Sequence, residues 1–579
     1  MKKRAYFIPL FVVLLGLMNA CSKSDLDEEN LLNINDVKSI VTYAEGILLK
    51  AYTNIPIEHN NFNLSYASDD AVNNVPSSAV KEVVLGGWTS SSNPFSVWRI
   101  AFENIFYINT FMDEMKDINW FARNAQTSAL FARKLKGEAF GLRAWNYFAL
   151  LQAHAGVGSN GQKLGVPIVD KVLKISKPED YQIPRSTFNQ LVQFIIKDCD
   201  SAIAILPVRW VDIGNTTVDI ANGLRNTNRI NGAVARLIKA KTLLYAASPA
   251  YSDGTYTYQM AATAAADLMN NNTGGLGLTR VNLANTIHTE YYNDPSVPNL
   301  VNLHPEVLWY STRVNASNAW EVSNYASSLF GRGLTNPTQD LVNSFPMLDG
   351  TPTPLSKINS NSPYTLRDPR LAKYIFFNGA SFTRGSATVT INTKLGSQDA
   401  LGSPNINATK TGYYLRKFMN VSSVNLDPSI NSQGLHFYTY ARYTDALLIF
   451  AEAANEAVGP DGVIGGFTAR QVINAIRNRA GITSSTYVNS LSQVEIKNLI
   501  RNERRLEMCF EEQRFWDLRR WDLKAEMKRG VSGVEVSADG ITYSYKVVES
   551  RNFSDYQING PIPFLETLKY KLIQNQGWQ

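Results

Sequence analysis

Arg501-Asn502-Glu503-Arg504-Arg505-Leu506-Glu507-Met508-Cys509-Phe510-Glu511-Glu512-Gln513-Arg514-Phe515-Trp516-Asp517-Leu518-Arg519-Arg520-Trp521 interleaves arginines, acids and aromatics. Upstream, Ser492-x-x-Glu495 is a capping box, so the spacing predicts one long helix from Ser492 to about Trp521. Its apolar stripe is Ile496, Leu499, Glu503, Leu506 and Phe510, with one carboxylate among the hydrocarbons. A carboxylate on an apolar face needs a cationic partner, which predicts an ion pair between Glu503 and an arginine of another helix. A segment of this composition locks helices together rather than touching ligand. Glu511-Glu512 reads as a charged helix surface.

Helical patterns extend outward on both sides. Arg442 to Val458 carries Tyr443, Leu447, Phe450 and Ala454 on one stripe, and Thr468 to Ala480 opens on a second capping pattern, Thr468-x-x-Gln471, and closes at Gly481. Toward the N-terminus, Phe95 to Met115, Lys134 to Ala155, Phe188 to Leu206 and Gly232 to Ala247 all show three/four apolar spacing. Lys134 to Ala155 is apolar nearly all round, and Gly137, Ala139, Gly141 and Ala144 let neighbours approach on two sides, as an internal helix of a stacked array requires. These pairs resemble tetratricopeptide hairpins, with no strict period. Between them, 271–434 is rich in Asn, Ser, Thr, Gly and Pro. It holds short β-leaning runs such as Val307 to Tyr310 and Ala387 to Ile391, which predict loops and short strands on one side of the body.

The 579 residues are 44% hydrophobic and 18% charged, a globular composition. The formal charge of +6 falls to +3 once Lys2, Lys3 and Arg4 are removed with a leader (6 − 3), and no basic stripe suggests nucleic acid. Lys2-Lys3-Arg4, the apolar Ala5 to Leu17 and Leu17-Met18-Asn19-Ala20-Cys21 read as a lipoprotein signal peptide over 1–20, with Cys21 lipidated; the alternative is an ordinary signal peptide cut near Ala20. The acidic run Ser22 to Glu29 makes 21–35 a solvated, flexible tether. Cys199 and Cys509 sit in apolar helical surroundings and read as buried thiols. The remaining divisions are a helical region over 36–270, a loop-rich region over 271–434 and a closing helical region over 435–579.

Catalytic patterns are rejected one by one. Gly156 to Gly161 matches G-x-G-x-x-G, but it follows a helix and leads into Val166-Pro167-Ile168-Val169, the reverse of what dinucleotide binding needs. The five histidines, 59, 154, 288, 304 and 436, are dispersed, and no metal-binding spacing appears. Asp69-Asp70 and Glu511-Glu512 are adjacent pairs, whereas glycosidase carboxylates face each other across a cleft.

The 501–521 segment resembles the hallmark C-terminal segment of the SusD/RagB family. Asn336 to Val342 with Asp349-Gly350, Arg367-Asp368-Pro369-Arg370-Leu371, Arg442 to Leu448, Asn474 to Gly481, Pro561-Ile562-Pro563 and Gln574 to Trp578 resemble further family motifs in order. Upstream, Gly137 to Ala144 and Gly165-Val166-Pro167 fit the same family. The resemblance covers the mature chain apart from 381–407, which carries no recognised motif. It implies a mostly α, SusD-like fold: a tetratricopeptide-like helical-repeat body with irregular loops and short strands on one face. It also implies a non-catalytic, cofactor-free lipoprotein of the cell outer membrane, facing the exterior, which passes oligosaccharides to a SusC-like TonB-dependent transporter. Some relatives take peptides, and a protein-binding scaffold is a third reading. Family ligand contacts come from early loops and the middle region. Sugar faces stack on aromatic rings and sugar hydroxyls need polar edges, so Trp88, Trp320, Tyr66, Asp69 and Tyr325 are the candidate ligand-binding residues.

Overall fold

A computed structural model of the protein describes residues 34–55, 63–75, 78–173, 176–271, 306–311, 314–436 and 439–579. The expected leader, residues 21–33 of the expected tether, Cys21 and His59, His288 and His304 lie outside them, and the last two tether positions, 34–35, are the start of a helix instead.

The body is a stack of helices in which each packs on the next. After a leading turn at Ile34–Ser39 come α1 (Val41–Thr53), α2 (Trp98–Glu114), α3 (Ala125–His154), α4 (Phe188–Ile203), α5 (Gly232–Ala247) and α6 (Tyr258–Asn271). The array does not stop at α6. It continues onto α10 (Tyr443–Val458), which packs on α6 and in turn carries α11 (Ala469–Arg479) and α12 (Gln493–Glu507). One apolar core therefore runs from Leu48 and Ile105 through Leu142, Val234 and Leu268 to Phe450 and Ile496. The mostly α, helical-repeat expectation holds.

Local chemistry accounts for the helix ends. Thr187, Thr468 and Ser492 close capping boxes on Gln190, Gln471 and Glu495. α3 begins nine residues before the predicted Lys134, because Asn124 caps it by accepting the Thr127 amide at 2.9 Å. Small residues in α3 do what their spacing suggested. A Cβ on Gly137 would stand 2.7 Å from Ile205, and one on Gly141 3.0 Å from Ile230.

The predicted helix to Trp521 is two helices, α12 and α13 (Arg514–Arg520). Between them Phe510 and Glu512 take left-handed backbone, both at φ 62. The break has a cause. Lys417 Nζ donates to the carbonyls of Glu507 (3.1 Å) and Cys509 (3.0 Å), and Arg442 Nη2 to that of Glu507 (3.1 Å), so foreign cations take the helix-end acceptors. The turn carries Glu511 and Glu512 inward. Their reading as a charged surface is corrected: both are buried, Glu511 against Lys417 (2.6 Å) and Arg442 (2.7 Å), Glu512 accepting the Leu64 amide at 2.7 Å.

The middle of the chain combines the predicted short strands with short helices that its composition hid: α7 (Ala319–Asn324), α8 (Gln339–Ser344) and α9 (Pro369–Tyr374). Its two-stranded pairings tie it to the body. Ala71–Asn73 pairs with Thr335–Pro337, Val307–Tyr310 with Thr439–Arg442, and Val314–Ser317 with Gly434–His436. The motif-free segment forms the hairpin Ser381–Arg384 with Ala387–Thr390, seated on a small core of Phe376, Phe382, Ile391 and Tyr414. Gly156–Val157 pairs with Lys163–Leu164 in a hairpin after α3, which removes the dinucleotide reading. Cys199 and Cys509 are buried free thiols.

Candidate functional site

The family-like motifs converge on a buried charge seam. Arg370, Lys417, Arg442, Arg477 and Arg479 interlock with Glu306, Asp368, Glu503, Glu507 and Glu511, five cations with five acids among the described residues. Glu503 is fully buried, 2.5 Å from Arg370 and 3.4 Å from Arg477, which is the predicted ion pair. Asp349-Gly350 belongs to the same seam: Gly350 sits at φ 89, its carbonyl accepts Arg477 Nη2 at 2.6 Å, and a Cβ there would stand 2.5 Å from that nitrogen. Beside it, Asp445 receives Lys241 (2.9 Å) and Arg504 (2.7 Å). Burial alone would raise the Asp445 carboxyl, but these two cations hold it well below the usual range. Every such group is committed to another, so the seam is structural.

Four of the five candidate ligand residues lie inside the protein. Trp88 is buried among Phe95, Phe515 and Trp578, with the Arg519 guanidinium 5.6 Å from its ring and its Nε1 donating to Asn93 at 3.1 Å. The glycines before it are exposed, but the indole itself turns inward from them. Gly86 turns at φ 107 where the segment at Asn552 crosses, and a Cβ there would be 2.5 Å from Asn552 Nδ2. Asp69 accepts Arg514 at 2.8 Å and stands 3.1 Å from Arg505; against its burial these cations hold its carboxyl well below the ordinary range. Tyr66 shares a 2.8 Å hydrogen bond with Thr335, and burial pushes its phenol up. Tyr325 is fully buried, its hydroxyl donating to the Val424 carbonyl at 3.4 Å. Burial pushes that phenol up, and buried Glu321 adds to it.

Trp320 is different. It stands half-buried on α7, its indole 4.9 Å from the His436 ring and 5.7 Å from Phe418. Asn318 precedes α7 without capping it; instead its Nδ2 donates to Asn431 Oδ1 (3.1 Å) and the Ser432 carbonyl (3.4 Å). Next in the helix, Glu321 accepts the Asn420 amide at 2.8 Å. Arg384, from the motif-free hairpin, donates to the Val421 carbonyl and Asn425 Oδ1, both at 3.2 Å, with its guanidinium 5.5 Å from the Tyr325 ring. Val322 on α7 and Asn431, bonded to Asn318, are exposed here. Phe418 (φ 72) and Asn431 (φ 41) hold left-handed backbone here, strain of the kind that clusters at binding sites.

A half-buried indole next to amide side chains can stack an apolar ring face and hydrogen-bond its rim. Sequence reasoning named Trp320 but missed His436, Phe418, Arg384 and Asn431. They come from segments 60 or more positions away, and none carries a local signal. Among the described residues no group of three or more His, Cys, Asp or Glu could hold a metal, and no helix is long and apolar enough to cross a membrane.

Comparison with known proteins points one way. A family model described as the SusD family matches residues 305–578, and one described as "Starch-binding associating with outer membrane" matches 20–218. The chain is 23% identical over 541 residues to SusD-like protein P38 of Formosa agariphila, covering 91% of this chain and 93% of that protein. Among solved structures, a SusD-like protein from Bacteroides fragilis superposes with TM-score 0.73 at 22% identity, covering 94% of this chain and 98% of that one. A laminarin-binding SusD-like protein superposes with TM-score 0.58 at 19% identity, over 93% and 99% of the two chains.

Proposed function

Because the chain belongs to the SusD family, we propose that it is a surface-exposed lipoprotein of the outer membrane that binds a glycan and passes it, unaltered, to a SusC-like TonB-dependent transporter. The observation that carries the binding role is Trp320, a half-buried indole on the loop face next to the Asn318–Asn431 amide pair. The outer-membrane family model that matches 20–218 and the laminarin-binding relative support a polysaccharide as the ligand. Lipidation of Cys21 and export to the exterior follow from the leader and the acidic run after it. Absence of turnover is supported by the fate of the paired carboxylates: Asp69, Asp70 and Glu511 are each engaged by arginine or lysine and Glu512 by a backbone amide, so none is positioned as an acid or base.

Of the five candidate residues, Trp320 is the one assigned to the ligand, and Tyr325 supports the neighbouring loop through the Val424 carbonyl. The test is a binding screen of the protein begun after the tether, against polysaccharides that include starch and laminarin and against peptides. Saturable polysaccharide binding with no shortening of the chain is expected. Binding of peptides alone, or hydrolysis of the bound glycan, would refute the proposal.

A further inference from the structure

Helix α7 is six residues long, and its buried face carries Glu321 and Asn324 where leucines would be expected. A fully buried carboxylate is expensive, and an apolar residue of similar volume often serves stability as well or better. Glu321 therefore calls for a reason other than stability.

Its contacts supply one. Among the described residues Trp320 has two ring neighbours, Phe418 and His436, which arrive on different segments. Glu321, the next residue along the helix, holds both segments. Its Oε1 accepts the amide of Asn420, two residues beyond Phe418, at 2.8 Å, and its Oε2 stands 3.2 Å from His436 Nε2. His436 is buried, and its strand Gly434–His436 pairs with Val314–Ser317, just before α7. Among the described residues neither ring nitrogen of His436 nor Glu321 Oε2 makes a hydrogen bond of good geometry, and the 3.2 Å approach of the carboxylate is the polar contact on the imidazole. One carboxylate thus fixes both walls against which the indole rests.

We propose that Glu321 is a positioning residue for the Trp320 platform, acting through His436 and the Asn420 amide rather than by touching ligand. This rests on the reading above that Trp320 meets the glycan. The first readout needs no ligand: the emission of Trp320, isolated as the difference between parent and Trp320→Phe, with acrylamide as quencher. Glu321→Ala is expected to shift that component to longer wavelength and make it more accessible to acrylamide. His436→Ala should do the same, and the double variant should add little, as expected for residues acting as a unit. Glu321→Gln keeps an acceptor for Asn420 and should restore much of the parent signal, which simple loss of packing would not predict. Should Glu321→Ala fail to fold, His436→Asn and Glu321→Gln carry the test. In the second readout, affinity for starch or laminarin should fall about tenfold or more in Glu321→Ala, roughly the weight of one good polar contact. An unchanged Trp320 signal in both Glu321→Ala and His436→Ala overturns the inference. If Trp320→Ala binds polysaccharide like the parent, the assignment of the site fails instead, and the emission measurement still decides the role of Glu321.

Discussion

At the residue scale the buried charges are the most demanding feature. Glu503 lies between Arg370 and Arg477 with no exposure, so its removal leaves uncompensated cations in the interior. Glu503→Ala is expected to cost about 3–5 kcal/mol, read as a lowered denaturant midpoint. Pairing it with Arg370→Ala should cost less than the sum of the two single changes, since each alone strands its partner. His154 makes a pH prediction. Burial, with Arg185 and Arg519 adding to it, pushes its imidazole down to about 4, and its ring Nδ1 faces the Pro561 carbonyl at 2.7 Å. An unfolded histidine titrates near ~6.5, so below that pH the unfolded chain binds the extra proton and the folded one does not. This contribution is complete above pH ~6.5, declines as pH falls toward 4 and is flat below, a total of about 3 kcal/mol. His154→Gln should flatten that part of the stability profile; an unchanged slope would show that another group carries it.

At the element scale, helices were legible and their breaks were not. α5 runs from Gly232 to Ala247 as its periodicity predicts, and the Thr468 and Ser492 boxes start α11 and α12 where the sequence places them. Those signals are local. The end of α12 is not local, because Lys417 and Arg442 reach it from 90 and 65 residues away in the chain. The Trp88 loop failed for the same reason: Gly86-Gly87 marks a close crossing by the segment at Asn552, and Trp578 near the C-terminus covers the indole. Trp320 was recognisable as an aromatic in a polar loop, whereas Phe418, His436 and Arg384 become its neighbours through folding alone. Glycine in α3 gives an element-scale prediction. Gly137→Ala gains helix propensity but drives a methyl to 2.7 Å from Ile205. Overpacking should win, with a net loss of about 1–2 kcal/mol in chemical denaturation.

At the scale of the whole molecule, the C-terminal third completes the N-terminal stack rather than forming a unit beside it. α10 packs on α5 and α6, and the last residues return to the end of α3 and the loop before α2. There Asn575 donates to the His154 and Gly560 carbonyls (2.9 and 2.6 Å) and accepts Arg185 Nη1 (2.9 Å), while Trp578 meets Trp88 at 5.0 Å. Deleting 574–579 should therefore lower the single cooperative melting transition rather than split it, because the lost contacts span both ends of one core. A closed helical body of this kind leaves ligand capture to the irregular face, where α7 presents Trp320. The most direct test is calorimetric titration of the protein and of Trp320→Ala with the best polysaccharide from the screen. Saturable binding by the parent, weakened at least about tenfold in the variant at unchanged melting temperature, is the predicted result. Equal affinity in the two would contradict the assignment of the loop face around Trp320 as the glycan site.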